Sequence, residues 1–285
     1  MRPRSKGFPI LIVLLAFALR TMRLEFQPLW WDEGYSVYFA SMSLPEMVEA
    51  TSLDIHPPLY YALLHGWITL AGSSPVALRL FSVAAGTITV PLFYFFSRLL
   101  VDEATALIAA LLLAVSPFHV YYSQEIRMYG LVALLGLGAT AALIRTLRGK
   151  PALIPVYILL STMALYTQYY AALLLLAHAA IILILRPKGK ARLWGALSAL
   201  LVPFLLYVPW IAYAGGRLIN YVQGKKAIEQ YLPLTIHYFL ARHLATFGMG
   251  HMPPALEPIF WAGGALISAL ALGGAWALRG NRPAL

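Results

Sequence analysis

Cysteine is absent from the 285-residue chain, which excludes disulfides, thiolate metal sites and cysteine nucleophiles and leaves the compartment open. Acidic residues are almost as scarce, with eleven Asp and Glu against twenty-one Lys and Arg. No Gly-rich loop of the phosphate- or dinucleotide-binding kind is present, so nothing points to ATP or NAD. There is no repeat of fixed period, nor a pair of matching halves with broken helices of the kind that marks many secondary transporters. What is plentiful is apolar: 61% of residues, with a mean hydropathy of +0.74 and only 11% charged. That composition lies far from soluble proteins and reads as an integral membrane chain. A net charge of +10 would suggest nucleic acid in a soluble domain. Here the basic residues fall in short stretches between apolar runs with no DNA- or RNA-binding motif, so they read as topology signals and nucleic acid is not an expected partner.

A crossing helix needs roughly 20 mostly apolar residues. Runs at 7–24, 76–98, 104–121, 128–146, 152–168, 170–186, 193–213 and 258–278 meet or approach that requirement. Arg2, Arg4 and Lys6 precede the first run, and no small-residue cleavage site follows it, which makes it an uncleaved span. Residues 25–75 become an outside loop carrying short interfacial helices, one over Glu33–Ser41, one starting at Leu44-Pro45-Glu46 and one over Leu59–Ala71. Counting Leu59–Ala71 as a crossing would push Arg145–Lys150 and Arg186–Arg192 outside, against the positive-inside rule. The expected fold is therefore an all-α polytopic membrane protein of about eight transmembrane helices with both ends cytoplasmic. It reads as a single domain over 1–285, with a module at 7–213, an outside segment at 214–257 and a last span at 258–278.

Six of the eleven acids (Glu25, Asp32, Glu33, Glu46, Glu49, Asp54) crowd into residues 25–54, which hold no Lys or Arg. Carboxylates are costly near a bilayer, and a chain that concentrates them uses them there. Trp30-Trp31 before Asp32-Glu33 anchors these acids at the membrane–water interface, and Pro57-Pro58 stiffens the chain after Asp54-Ile55-His56. A carboxylate at that depth is suited to taking a proton from a hydroxyl, which makes Asp32 the leading general-base candidate, with Glu33 and Asp54 as further catalytic candidates. The alternative for Asp32 is an N-cap on the Glu33–Ser41 helix, a common use of Asp. Asp54 and His56 fall on one side of an extended segment and could orient a substrate or, with Asp32, ligate a divalent cation. No metal or other cofactor is required by this reading.

The same topology brings Gln124-Glu125-Ile126-Arg127-Met128-Tyr129 and Gln168-Tyr169-Tyr170 to the face that carries Asp32 and Asp54. Arg127 can grip two phosphate oxygens with its fork, and Glu125 and Tyr129 join it as substrate-binding candidates. The alternatives for Arg127 are pairing with Glu125 or snorkelling to headgroups. Gln168 and Tyr169 are candidate sugar contacts that resemble ordinary interfacial aromatics. His119 and His178 read as packed side chains.

Taken together, Asp32-Glu33 after the first span, Asp54-x-His56-Pro57-Pro58-Leu59, and Gln124-Glu125-x-Arg127-x-Tyr129 two spans later resemble the GT-C glycosyltransferases. The nearest likeness is to the protein O-mannosyltransferase and aminoarabinose-transferase-like branch, over about residues 7–213. The resemblance implies a multi-span enzyme that takes sugar from a polyprenyl-phosphate donor on the non-cytoplasmic face. It further implies Asp32 as general base and Arg127 on the donor phosphate. One departure is that such enzymes usually carry more spans and often a soluble C-terminal domain. The function expected is thus an inverting membrane glycosyltransferase in the plasma or inner membrane, among membrane lipids, with a lipid, glycan or protein acceptor whose hydroxyl or amine is glycosylated. A transporter or flippase for a lipid-linked anion is the alternative, using the same charges as a pathway.

Overall fold

The computed structural model describes residues 7–185, 190–228 and 235–277. Arg2, Arg4, Lys6, Arg186, Lys188, Arg279 and Arg282, which carry part of the topology reading, lie outside the described residues. Among the described residues every regular element is helical. Helix α1 (Gly7–Thr21) leads into three short helices, α2 (Trp31–Ala40), α3 (Leu44–Ser52) and α4 (Leu59–Ala71). A bundle follows: α5 (Pro75–Ser97), α6 (Glu103–Val115), α7 (Pro117–Ser123), α8 (Tyr129–Leu147), α9 (Ile154–Thr167), α10 (Ala172–Leu185) and α11 (Lys190–Ile228). Helices α12 (Ile236–Met249) and α13 (Glu257–Ala277) form a pair at the C-terminal end.

Local chemistry sets most of these boundaries. Ser74 caps α5 by accepting from the Ala77 N–H at 3.2 Å, with Pro75 in the first turn where its missing N–H costs nothing. Ser43 and Glu46 form a reciprocal cap on α3, and Asp102 caps α6 through the Thr105 N–H at 3.1 Å. Gly72, at φ +86°, ends α4 in a conformation that side-chain-bearing residues rarely adopt.

Each of the eight expected apolar runs is helical over most of its length. Among the described residues four helices are long and apolar enough to cross a bilayer, a fifth if the bent α6–α7 pair counts as one span, and three shorter apolar helices accompany them. The chain is a multi-pass membrane protein. Helix α4 is short, lies outside that set, and packs on α2, α5 and α9.

Two expectations change. The run at 104–121 is not one helix but two, bent by 55° at Ser116-Pro117, because Pro117 has no N–H to continue the ladder. The run at 193–213 does not stop there: α11 continues to Ile228, so the first part of the expected 214–257 segment is helix, and α12 supplies much of the rest. The extension is held from the side. Arg217 bonds Glu49 of α3 at 2.7 Å and Ser52 at 2.6 Å, and the Tyr213 hydroxyl also donates to Glu49.

The largest core lies where α2–α4 fold down over one end of the bundle. Phe39, Met47, Tyr60, Tyr61 and Leu64 pack there against Leu78, Ile126, Met128, Leu165 and Trp210. Burying these rings fixes the loop between α1 and α5 as a rigid cap, and the polar residues gather beneath it.

Candidate active site

The N-cap of α2 is Trp30, whose indole offers no hydrogen-bond acceptor. The cap is supplied in the other direction, with Glu33 accepting from the Trp30 N–H at 3.4 Å. Asp32 is therefore a residue of the first helical turn and not the N-cap, which removes the capping alternative for it.

Asp32 and Glu33 part company at once. Glu33 is fully buried and makes a forked ion pair with Arg79 of α5, Nε to Oε1 at 3.0 Å and Nη2 to Oε2 at 2.7 Å. Its Oε1 also accepts from the Ile126 N–H at 3.0 Å. Arg79 in turn donates to the carbonyls of Leu24 and Gln27. Every lone pair that a substrate would need on Glu33 is taken, so the sequence expectation of a catalytic Glu33 is corrected: it is the pin that ties α2 to α5 and to the 124–128 segment.

Asp32 keeps 38% of its side chain exposed and stands 3.6 Å from the Arg127 Nη2. Arg127 is buried, donates to the Asp32 carbonyl at 3.2 Å, and lies 3.4 Å from the His56 Nε2. On the far side of that ring, His56 Nδ1 donates to Asp54 at 3.3 Å. This sets the tautomer, leaving Nε2 as the acceptor that faces the guanidinium. Burial acts to raise the Asp54 pKa, but the hydrogen bond from His56, the Ile55 backbone and the charge of Arg127 outweigh it and hold the carboxyl below its ordinary range. The Tyr129 ring centroid lies 5.7 Å from the guanidinium carbon.

Asp32, Asp54, His56, Arg127 and Tyr129 thus come together. Arg127 does not pair with the Glu125 carboxylate; the two share only a backbone hydrogen bond at 2.8 Å. Glu125 is buried nearby with Oε2 lacking a partner, and burial lifts its pKa to about 7. Gln168 is the C-cap of α9, and the Tyr169 hydroxyl accepts from the Trp210 indole at 3.1 Å, so these two line the same end of the bundle without a hydrogen bond to the cluster among those described.

The donor set does not suit a metal. Among the described residues no three His, Asp or Glu side chains stand close enough to share an ion, and the Arg127 guanidinium lies between Asp32 and His56. A cation there would meet a fixed positive charge.

The roles of three side chains escaped the sequence reading. Arg79 is one. Arg20, fully buried in α1, donates to the Leu113 and Ala114 carbonyls freed by the α6–α7 bend and to His119 Nδ1 at 2.7 Å. Gln124 does the converse, capping the end of α1 at the Leu19, Arg20 and Met22 carbonyls. The ends of α6 and α1 are thus each closed by a side chain remote in sequence, which matters where water is scarce. For the two arginines the available signal was a charged residue placed within an apolar run.

With this geometry in hand, comparison with known proteins is informative. Residues 55–213 match the family model described as dolichyl-phosphate-mannose-protein mannosyltransferase. A search of curated proteins gave no match. Three chains of solved structures match, among them one from the structure of the S. cerevisiae protein O-mannosyltransferase Pmt1-Pmt2 complex bound to the sugar donor. That likeness has a TM-score of 0.55 at 19% identity, covering 75% of this chain and 34% of the other. At such identity it speaks to the fold, and the chain spans about a third of that structure's length.

Proposed function

This chain belongs to the dolichyl-phosphate-mannose-protein mannosyltransferase family, and from that premise we propose that it is a membrane mannosyltransferase drawing on a polyprenyl-phosphate sugar. The observation that carries the reading is Arg127: buried, with Nε unpartnered and its remaining donors on long contacts, beside a half-exposed carboxylate. A buried guanidinium with donors left over is an anion site, and the adjacent Asp32 is placed to accept a proton.

In the reaction we infer, Asp32 takes the proton of the acceptor hydroxyl as that oxygen attacks the anomeric carbon. The bond from that carbon to the phosphate oxygen breaks, and its electron pair leaves on the polyprenyl phosphate, held by Arg127. Configuration inverts because a single displacement occurs, and no covalent intermediate or nucleotide is needed once the phosphate charge is stabilised. His56, fixed by Asp54, positions the guanidinium. The donor's tail would lie along the 690 Å³ apolar groove between α10 and α11, lined by Leu173, Leu176, Trp194, Leu197, Leu201 and Phe204. This groove begins three residues beyond Tyr169, beside the polar end of the bundle. In this reading the site opens on the outer face of the cell membrane, and a lipid, glycan or protein supplies the acceptor.

The test is release of polyprenyl phosphate by the purified chain given polyprenyl-phosphate mannose and an acceptor. Loss of a general base typically costs 10²–10⁴-fold, so Asp32→Asn should lower turnover by about that factor with donor binding and melting unchanged. Wild-type turnover in Asp32→Asn would remove the base assignment.

A further inference from the structure

A second cavity, of about 440 Å³, lies between α7, which is within residues 55–213, and α12 and the start of α13, which are beyond them. It falls within the usual range of small-molecule sites, roughly 300–1,000 Å³. Its walls are aromatic. Phe118 stands 4.8 Å from Tyr122 and 5.2 Å from Phe247, with Phe260 opposite, its centroid 5.7 Å from the Arg242 guanidinium carbon. Its polar groups are of both kinds. Arg242 brings donors, one of them on the Tyr238 hydroxyl at 3.0 Å, while Glu257 brings acceptors. His243 Nδ1 donates to the Phe239 carbonyl at 2.8 Å, which leaves its Nε2 an acceptor. His251 Nε2 meets the Tyr122 hydroxyl at 3.1 Å.

This mixture selects among ligands. A phosphate wants donors only, and would meet the Glu257 carboxylate and an acceptor nitrogen. A lipid tail would leave these polar groups dry and unpaired. A neutral polyol satisfies donors and acceptors together, and the flat rings offer a face for the C–H side of a sugar. We propose that this cavity is a saccharide-binding site distinct from the Arg127 cluster. Tyr122 is shared between the two: its ring lies 4.8 Å from Tyr129, which in turn faces Arg127. If the transferase reading holds, on which this last step rests, the cavity seats a sugar of the acceptor at one aromatic pair's distance from the reaction.

The experiment is saturation-transfer NMR on the full chain in nanodiscs, with mannotriose and maltotriose as probes and inorganic phosphate as competitor. Saccharide signals should be present in the wild type and insensitive to phosphate. They should fall about tenfold in Phe247→Ala, the loss expected of one aromatic wall, and fall also in the isosteric Glu257→Gln, which guards against misfolding of the first variant. The acceptor KM should rise in both variants while the donor KM stays. Absence of saccharide signal, survival of that signal in both variants, or displacement by phosphate would each overturn the site. Saccharide binding should persist in Asp32→Asn, so failure of the transferase chemistry and failure of this site are read separately.

Discussion

Arg79 and Arg127 are both buried, and each faces one carboxylate of the Asp32-Glu33 pair, yet the two pairings are opposites. Arg79 meets Glu33 through two short hydrogen bonds and closes its remaining donors on backbone carbonyls. Arg127 touches Asp32 at 3.6 Å and His56 at 3.4 Å, with Nε free of any partner among the described residues. The first pair is saturated and shielded, so it holds the structure together. The second is loose and half open, so it can exchange a partner for a substrate. Consecutive residues of a helix point about 100° apart, which is how one dipeptide serves both ends.

The largest expected effect falls on the closed pair. Glu33→Gln keeps the shape but strands the Arg79 charge, and removing one member of a buried pair costs about 3–5 kcal/mol. Thermal melting should show a steep loss, partly recovered in the double variant Glu33→Gln with Arg79→Met. An unchanged melting temperature would erase the contrast drawn here. A smaller effect is expected at Gln124→Ala, which leaves the α1 carbonyls uncapped at a cost of roughly 1–3 kcal/mol. It should lower melting while donor binding at Arg127 survives; loss of donor binding at unchanged stability would show that Gln124 belongs to the open region instead.

A further effect is one of pH. Burial raises the Glu125 carboxyl from 4.5 to about 7, so the folded chain holds a proton that the unfolded chain releases. Its contribution to stability is full below pH 4.5 and is lost as pH rises toward about 7. Glu125→Gln should flatten the melting profile across that window and stabilise the chain above it. A profile that keeps its slope would assign the titration to another group.

Much of the fold was legible because its signals are local. Apolar runs and the acid-rich segment each act within a few residues, and they marked the helices and the end of the bundle that holds the site. The 55° bend at Pro117 interrupts a run that reads as one span in sequence, and its closure by Arg20 joins residues more than ninety positions apart. The continuation of α11 is braced by Glu49, whose partner Arg217 lies 168 positions away in sequence. The site was read in part for the same reason. Arg127, Asp54 and His56 announce themselves as polar groups in apolar surroundings, whereas the fate of Glu33 depends on a residue 46 positions away.

The sequence by itself determined that this is a helical membrane protein, which runs are apolar, and which residues bring charge to one end of the bundle, because composition and periodicity are properties of the chain. Only the tertiary structure decided which acid of the Asp32-Glu33 pair is tied down and which remains available. That choice rests on how α2 is rotated against α5 and the 124–128 segment. It is set by burying Phe39, Met47 and Tyr61 under the cap, and no residue in the neighbourhood of Asp32 encodes it alone.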